Sequence, residues 1–318
     1  MKYAGEMIPT AALWIVPAVL IVLVLGIAFV CFYMAFYSKR EEPREEYPIP
    51  PGKVYEPYRE QMKAWMKEMR ELPHDDVYIR SFDGLTLHGR YYEHTPGALT
   101  ELMLHGYRGN AERDLCGGVQ RAFALGRNVL IVDQRGCGES EGHVITFGIC
   151  ERHDCRAWVD YLVQRFGKEQ KIFLTGISMG ASTVLMTGAM ELPENVVGVL
   201  CDCGYSTARE IIKKTIREMH LPVKLAYPFV KLGAWLYGGF RLEETSPLEA
   251  AKCCRLPVIF IHGEGDDFVP CDMSRENYRA KAEPKALFTV PGAGHGLCYL
   301  VDPEGYLAAL RSFEKNIP

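Results

Sequence analysis

The longest apolar run of the chain lies close to its first residue. No charged side chain occurs between Glu6 and Lys39, and residues 13–37 are almost wholly apolar. This run has about the length that a helix needs to cross a bilayer, and Trp14 lies near one end, as expected for a ring at the membrane interface. It is too long for the apolar part of a cleaved signal peptide, and no small-residue cleavage site follows it. The pattern predicts one transmembrane helix within an N-terminal anchor, residues 1–38.

Two segments of different polarity follow. Residues 39–53 are charged and rich in proline, a composition typical of an extended linker, which we expect to hold the remaining chain off the membrane. From Tyr55 to Leu72, apolar residues recur at intervals of three and four, which predicts an amphipathic helix. Its polar face is not rich in lysine and arginine, so we expect it to pack on the domain formed by residues 54–318 and not on lipid.

Short β-rich runs alternate with helical patterns after Pro73. Several runs are continuously apolar, as in strands buried on both faces of a sheet. The predicted strands are 77–82, 86–93, 101–105, 129–133, 171–176, 196–202, 257–262 and 286–290, and the predicted helices are 111–125, 150–166, 180–191, 271–282 and 303–315. The alternation predicts an α/β fold: a mostly parallel eight-stranded sheet with helices on both faces and an antiparallel start at residues 77–93.

One interval departs from this alternation. Residues 206–250 separate two predicted strands by far more than a usual crossover connection. The interval begins with a helical pattern and continues with leucine, aromatic residues, proline and glycine. We expect a helical cap inserted into the domain.

Composition narrows the function classes. The chain has 318 residues, a net charge of -4 and no long basic run outside the linker, so it lacks the electrostatic footprint of a nucleic-acid-binding protein. Its 11 cysteines fall at irregular spacings without a cluster typical of zinc ligands. We therefore expect buried, reduced thiols and no metal.

The motif Gly176-Ile-Ser-Met-Gly180 carries the strongest chemical signal. It follows an apolar strand and precedes a helical stretch, the context in which G-x-S-x-G forms a sharp turn that exposes the serine. Glycines two residues to either side let neighbouring backbone pass closely. We therefore predict that Ser178 is a nucleophile.

A serine hydroxyl needs a histidine to accept its proton and a carboxylate to orient that histidine. His295 lies in a glycine-rich loop after the last predicted strand, whereas His262, at a strand end before glycine, is expected to be structural. Asp266 and Asp267 both follow strand 257–262, and either could bond an imidazole on geometric grounds. Along the chain the order is serine, aspartate, histidine, which is the order found in proteins whose nucleophile occupies this type of turn.

Negative charge that develops on a substrate carbonyl oxygen requires backbone N–H donors. Met179, the residue after the predicted nucleophile, supplies one. The loop after the third strand, residues 104–110, supplies the second, and Tyr107 N–H is the candidate.

Seven segments together resemble the α/β-hydrolase superfamily, and within it the membrane-tethered, serine-aminopeptidase-like or BEM46-like hydrolases. The resemblance covers residues 75–315 and is carried by LHGYRGN at 104–110, DQRGCGES at 133–140, TFGICERHD at 146–154, GISMG at 176–180, CDCGYS at 201–206, HGEGDDFVP at 262–270 and PGAGHG at 291–296. It implies that Asp266 is the acid, that Asp133 to Ser140 is scaffold and that no cofactor is required.

These observations predict a membrane-anchored serine hydrolase that cleaves acyl esters or thioesters through an acyl-enzyme. A cap above Ser178 would line an acyl pocket with its apolar side chains: Leu225, Tyr227, Phe229, Leu232, Trp235 and Leu236. The alternatives are an aminopeptidase-like serine peptidase, whose anionic group for the substrate amine would come from Glu210, Glu218, Glu243 or Glu244, and an inactive binding protein. The substrate would be a small or lipid-like acyl compound.

The basic residues on either side of the apolar run indicate how the helix is oriented in the membrane. Lys39, Arg40, Arg44 and Lys53 outnumber Lys2 and the N-terminal amine, which predicts a cytoplasmic catalytic domain. The many thiols favour the same side. The sequence gives no indication of oligomeric state.

Overall fold

Eight strands form one sheet within residues 10–40 and 45–315, which a computed structural model describes. They are β1 (Asp75–Arg80), β2 (Thr86–Tyr92), β3 (Thr100–Leu104), β4 (Asn128–Val132), β5 (Ile172–Ile177), β6 (Val196–Asp202), β7 (Val258–Gly263) and β8 (Lys285–Val290). The order is β1-β2-β4-β3-β5-β6-β7-β8; β2 is antiparallel to β1 and β4, and the other pairs are parallel. The predicted sheet, with its antiparallel start, is confirmed.

Helices cover both faces of this sheet. In the described ranges they are α1 (Thr10–Ala35), α2 (Arg59–Glu71), α3 (Ala111–Phe123), α4 (Glu151–Phe166), α5 (Met179–Gly188), α6 (Ala208–Glu218), α7 (Val223–Leu236), α8 (Pro247–Cys253), α9 (Cys271–Ala280), α10 (Cys298–Val301) and α11 (Pro303–Glu314), and a 3₁₀ helix spans Lys53–Tyr58. Successive strand side chains point to opposite faces. In β5, Leu174 packs in the cluster that includes α4 and α5, whereas Phe173 packs in the cluster that includes α11.

The predicted amphipathic helix is α2, and it packs on the domain as expected. Met62, Met66 and Met69 are buried and form an apolar cluster with side chains of α3 and β3. The 3₁₀ helix takes up the first residues of the predicted helical pattern.

The segment after α1 differs from the predicted extended spacer. Tyr47 and Ile49 pack against the cluster around α2, and the Arg70 guanidinium lies 4.4 Å from the centroid of the Tyr47 ring. The residue after α1 also contacts the domain directly, because the Phe36 carbonyl accepts a hydrogen bond of 2.8 Å from Ile145 N–H. That residues 39–53 hold the domain off the membrane stays a prediction. Ion pairs of Glu45 with Arg59 and Lys63 also join this segment to α2. Residues 41–44 of the predicted linker, 1–9 of the predicted anchor and 316–318 of the predicted domain lie outside the described residues.

Residues 206–250 fold into α6, α7 and α8 and their connections. Of these helices, α7 packs along α1. The two backbones approach so closely that a Cβ on Gly233 would lie 2.4 Å from the Ala28 carbonyl oxygen. The insertion therefore joins α1 to the catalytic side of the domain.

Candidate active site

Ser178 occupies a sharp turn between β5 and α5. Its backbone has φ 56 and ψ -117 degrees, a positive φ that side chains with a Cβ rarely adopt. A Cβ on Gly176 would lie 2.2 Å from the Gly180 carbonyl carbon, and one on Gly180 would lie 2.1 Å from the Leu104 carbonyl oxygen. The turn is therefore packed too tightly for any residue but glycine on either side. Strain of this kind costs about 1–3 kcal/mol and persists where the surroundings enforce it.

The structure brings Ser178, His295 and Asp266 into one hydrogen-bonded series. His295 Nε2 lies 2.9 Å from Ser178 Oγ, and His295 Nδ1 lies 2.6 Å from Asp266 Oδ2. Because the carboxylate accepts from Nδ1–H, Nε2 is left free to accept the serine proton. Three residues from three different loops thus form the geometry of a nucleophile, a base and an orienting acid.

Asp266 is held as a carboxylate. Burial opposes its ionisation, but hydrogen bonds from His262 and His295 outweigh burial and hold the pKa of Asp266 well below its ordinary value. Its Oδ1 accepts two further hydrogen bonds, from Phe268 N–H at 2.9 Å and Val269 N–H at 2.8 Å. Asp267, the other candidate, is exposed, and its main-chain carbonyl accepts from a lysine. The geometry selects Asp266.

His262 belongs to the network around this acid. It is fully buried, and its Nε2 lies 3.2 Å from Asp266 Oδ2 and 2.9 Å from the Val269 carbonyl oxygen. Its Nδ1 lies 2.7 Å from Ser274 Oγ. The sequence indicated only a structural histidine; its position four residues before Asp266, at the end of β7, was the available signal for this contact.

The loop after β3 lies beside the serine. A Cβ on Gly106 would be 3.5 Å from Ser178 Cβ, and Gly106 N–H donates to Asp114 Oδ2 at 3.1 Å. Within the described residues, Tyr107 N–H has no hydrogen-bond acceptor. Met179 is the first residue of α5, where helical N–H groups have no partner inside the helix. Both N–H groups named from the sequence are thus free to donate.

Side chains of the same loop hold the end of α1. The Tyr107 hydroxyl donates to the Ala35 carbonyl at 2.8 Å, and Arg108 donates to the carbonyls of Met34 and Tyr37, each at 2.8 Å. The carbonyls of Met34 and Ala35 belong to the last turn of α1, where the helix offers them no partner, and Tyr37 follows two residues after the helix. The predicted membrane helix and the loop with the candidate oxyanion donor are therefore in direct contact.

Tyr55 lies near the site, a position that its sequence pattern did not indicate. Burial raises the pKa of its phenol above the ordinary value, and the Cys203 thiol and the carboxylates of Asp114 and Asp266 add to that shift. Its neighbour Val54 packs on the histidine loop, since a Cβ on Gly294 would lie 2.5 Å from a Val54 methyl carbon. The 3₁₀ helix therefore lies over the site. Tyr55 fits the helical spacing of the apolar residues that follow it. The local sequence therefore does not distinguish a residue near a site from one on the packed face of a helix.

The six cap residues named from the sequence do not form one pocket wall. Leu225, Trp235 and Leu236 are exposed, by 67%, 58% and 40%, and Phe229 and Leu232 are half-buried. Tyr227 is buried, and its hydroxyl donates to Glu243 Oε1 at 2.6 Å. The expectation that this set lines a pocket over Ser178 is therefore wrong. The reason is that α7 is apolar on both sides, and its inward face carries Tyr227, Val230 and Ala234.

Two apolar regions border the turn of Ser178. On one side, Met179 packs in a cluster that includes rings from α1, the cap and intervening loops: Phe32, Phe36, Phe147, Tyr205, Tyr227 and Phe240. On the other side, a cavity of about 70 Å³ is bordered by Ile177 and Gly296, the chain neighbours of Ser178 and His295. Its apolar walls include Trp65, Leu115, Tyr299 and Leu300. Asp114, Arg121 and Asp202 also line this cavity, and it lies next to the turn of Ser178 without Ser178 or His295 in its walls.

Cys203 is a third potential metal ligand at this site. One ligand atom each from Cys203, Asp266 and His295 lies within 4.8 Å of the others. Burial raises the pKa of the Cys203 thiol well above its ordinary value, so the thiol stays protonated, and a metal requires the thiolate. The other two groups already share a hydrogen bond. The chemistry of this set fits the hydrogen-bonded series and not a metal centre.

The turn from Asp133 to Ser140, which the sequence indicated as scaffold, braces the loop after β3. Asp133 accepts hydrogen bonds from His88 at 3.0 Å and from Ala111 N–H at 2.9 Å. Since Ala111 begins α3, this carboxylate fixes the start of the helix that follows the loop. Nothing in this turn contacts Ser178 among the described residues.

Comparisons with known proteins agree with this architecture. Residues 102–254 match a family model described as alpha/beta hydrolase fold. Protein YqkD of Bacillus subtilis is 30% identical over 194 residues, which are 61% of this chain and 64% of YqkD, and the lysophosphatidylserine lipase ABHD12 of Danio rerio is 25% identical over 58% of this chain and 48% of the lipase. The esterase Pf2001 of Pyrococcus furiosus superposes with a TM-score of 0.63 at 22% identity, over 85% of this chain and 98% of the esterase.

Proposed function

We propose that this chain, which has the α/β-hydrolase fold, is a membrane-anchored serine hydrolase that cleaves acyl esters or thioesters. One observation carries the proposal: the series Ser178, His295, Asp266, with contacts of 2.9 and 2.6 Å. An inactive binding protein would have no use for an ionised, buried carboxylate aimed at this histidine.

The reaction follows from these contacts. Ser178 Oγ attacks the acyl carbon while His295 Nε2 takes its proton, and the oxyanion that forms accepts hydrogen bonds from Met179 and Tyr107 N–H. When the intermediate collapses, His295 gives the proton to the departing alcohol or thiol. Water then attacks the acyl-enzyme, with His295 again as base, and the acid is released. Asp266 keeps its charge throughout and stabilises the imidazolium. The cycle requires no cofactor.

We propose that the acyl group enters the cavity bordered by Ile177 and Gly296. Most of its wall is apolar, with Trp65 on one side, which suits an acyl chain better than a peptide, although Asp114, Arg121 and Asp202 also line it. A lipase and an esterase among the similar proteins support the bond class.

The peptidase alternative lacks an available anion. Each glutamate considered for binding a substrate amine is paired with a basic side chain: Glu210 with Lys213, Glu218 with Lys214, Glu243 with Lys231, and Glu244 with Arg152. We therefore retain the ester or thioester as substrate.

The test is a chain-length series of p-nitrophenyl esters, run beside aminoacyl p-nitroanilides on the full chain in detergent, with Ser178→Ala as blank. We expect turnover of the esters to depend on acyl length and to exceed that of the anilides. Trp65→Ala should shift the preferred length, whereas Trp235→Ala, the same change at an exposed site, should not. Faster anilide cleavage, or a length profile that responds to neither variant, would defeat the acyl-pocket proposal.

The location of the enzyme rests on α1. Residues Trp14–Ala35 form a helix of 22 residues with mean hydropathy 3.1, long and apolar enough to span a membrane. We propose a single-pass anchor with the domain on the cytoplasmic side, because the basic residues after the helix outnumber those before it. Protease added to intact cells should leave the domain whole; its removal would reverse the orientation.

A further inference from the structure

The end of α7 lies beside the middle of α1. Tyr237, just after α7, donates from its hydroxyl to the Leu25 carbonyl at 3.0 Å, and its ring lies 5.2 Å from the ring of Phe29. One turn earlier, Gly233 packs on Ala28 and Phe32. Later residues of α7 therefore contact earlier residues of α1. The two helices are antiparallel, and the end of α7 points away from the domain.

This arrangement fixes how deep the end of α7 would lie in a membrane. The apolar part of α1 has 22 residues, which at 1.5 Å per residue is about 33 Å, close to the thickness of a hydrocarbon core. Leu25 precedes Ala35 by ten residues, and so lies about 15 Å from the end of α1 that meets the domain. If α1 spans the bilayer, Tyr237 is near its mid-plane.

The exposed surface at this depth is apolar. Trp235 and Leu236 are 58% and 40% exposed, and no charged residue occurs from Leu232 to Phe240. The preceding charge is Lys231, whose Nζ is paired with Glu243 at 2.7 Å. A lysine there can extend its stem toward the membrane interface. Leu225 precedes Trp235 by ten residues of α7 and so lies about 15 Å nearer to the domain, at about the same depth as the end of α1.

We propose that residues 232–239 are embedded in the hydrocarbon of the bilayer, so that the cap is a second membrane-inserted element beside the anchor; Phe240 returns to the domain, where its ring lies 5.2 Å from that of Phe36. The occupant of the exposed face of α7 is lipid, because the face continues the apolar surface of α1 at the same depth. The opposite face of α7 carries Tyr227 and Val230 into the cluster that contains Met179. One helix therefore connects the bilayer with the packing around the candidate site. This inference rests on the anchor that forms part of the proposed function, but not on the serine chemistry.

Tryptophan fluorescence in vesicles tests the insertion directly. The chain has four tryptophans: Trp14 and Trp235 are exposed on α1 and α7, whereas Trp158 is buried and Trp65 packs on α3 and α10. The full chain is reconstituted in phosphatidylcholine with or without bromine on the acyl chains, where bromine quenches a ring that contacts lipid tails. The variants are Trp14→Phe, Trp235→Phe and the double variant.

In Trp14→Phe, Trp235 is the exposed tryptophan that remains, and we expect brominated lipid to quench the part of the fluorescence that it contributes. In the double variant we expect no quenching. Quenching in Trp235→Phe but not in Trp14→Phe would show an anchor without an inserted cap and would overturn the inference. Quenching in neither would show that α1 itself is not in lipid, which also removes the anchor from the proposed function. Ester hydrolysis by the same samples reports separately on Ser178, so failure of the chemistry is distinguishable from failure of the insertion.

Discussion

Replacing Tyr107 by phenylalanine removes one hydroxyl that links the loop of the candidate oxyanion donor to α1. The ring remains, so its packing 5.1 Å from the ring of Phe147 is retained. What is lost is the 2.8 Å hydrogen bond to the Ala35 carbonyl. A bond of this type contributes about 1 kcal/mol. If that energy positions the Tyr107 N–H at the oxyanion, kcat should fall by about fivefold, because 1.36 kcal/mol corresponds to a factor of ten in rate.

The chain offers a matched control for this change. Tyr237→Phe removes the same kind of bond, from a phenol to a carbonyl of α1, at 3.0 Å from Leu25 O, but far along the helix from the loop. Initial rates of p-nitrophenyl ester hydrolysis by the full chain in detergent should show a lower kcat with little change in KM for Tyr107→Phe, and no change for Tyr237→Phe. Equal losses in both variants would mean a general loosening of α1 and would refute the specific role of the loop. An unaffected Tyr107→Phe would refute it as well.

Three further outcomes follow from the structure. Asp266→Asn should lower kcat by about 10⁴-fold, since the amide favours the wrong tautomer of the histidine, while Asp267→Asn, the same change at an exposed neighbour, should leave steady-state turnover within a few-fold of wild type. The depressed pKa of Asp266 means that its hydrogen bonds stabilise the fold above about pH 4, the unfolded-state pKa, and lose this effect as the pH falls; the difference in unfolding free energy between wild type and Asp266→Asn should therefore shrink in acid denaturation series. Glu101→Gln should destabilise the fold by about 3–5 kcal/mol in urea unfolding, because it removes the charge that pairs with the buried Arg121 and leaves Arg127 with only Glu314, whereas Glu249→Gln, in an exposed pair with a lysine, should change stability by less than about 1 kcal/mol.

Features with local causes could be predicted from the sequence. Several strands of the sheet are short, continuously apolar runs, and Gly176 is required by a contact with Gly180 within the turn of Ser178. His295 and Asp266 could be named as candidates because each follows a strand whose carboxyl end meets the same edge of the sheet. The choice between Asp266 and Asp267 could not be made from spacing alone, because it depends on which carboxylate faces His295 across 29 residues of chain.

Features that depend on contacts between residues far apart in the chain could not be predicted from the sequence. Apolar side chains surround α7, so its pattern did not reveal that Tyr227 faces inward and Trp235 outward. The docking of α1 depends on Tyr107 and Arg108, more than 70 residues further along the chain. The position of Tyr55 over the site depends in the same way on loops that follow much later. Composition identified the linker as charged, but it did not reveal that Tyr47 and Ile49 pack against the cluster around α2 or that Glu45 pairs with Arg59 and Lys63 of that helix.

Whether Ser178 is an activated nucleophile is tested most directly by covalent labelling with a fluorophosphonate, followed by intact-mass and peptide analysis. We expect one phosphonyl adduct on Ser178 of the full chain, slower labelling in His295→Ala, none in Ser178→Ala, and clear labelling in Asp267→Asn. Labelling of Ser178→Ala at the rate of wild type, or no reaction of a folded wild-type chain, would contradict this expectation.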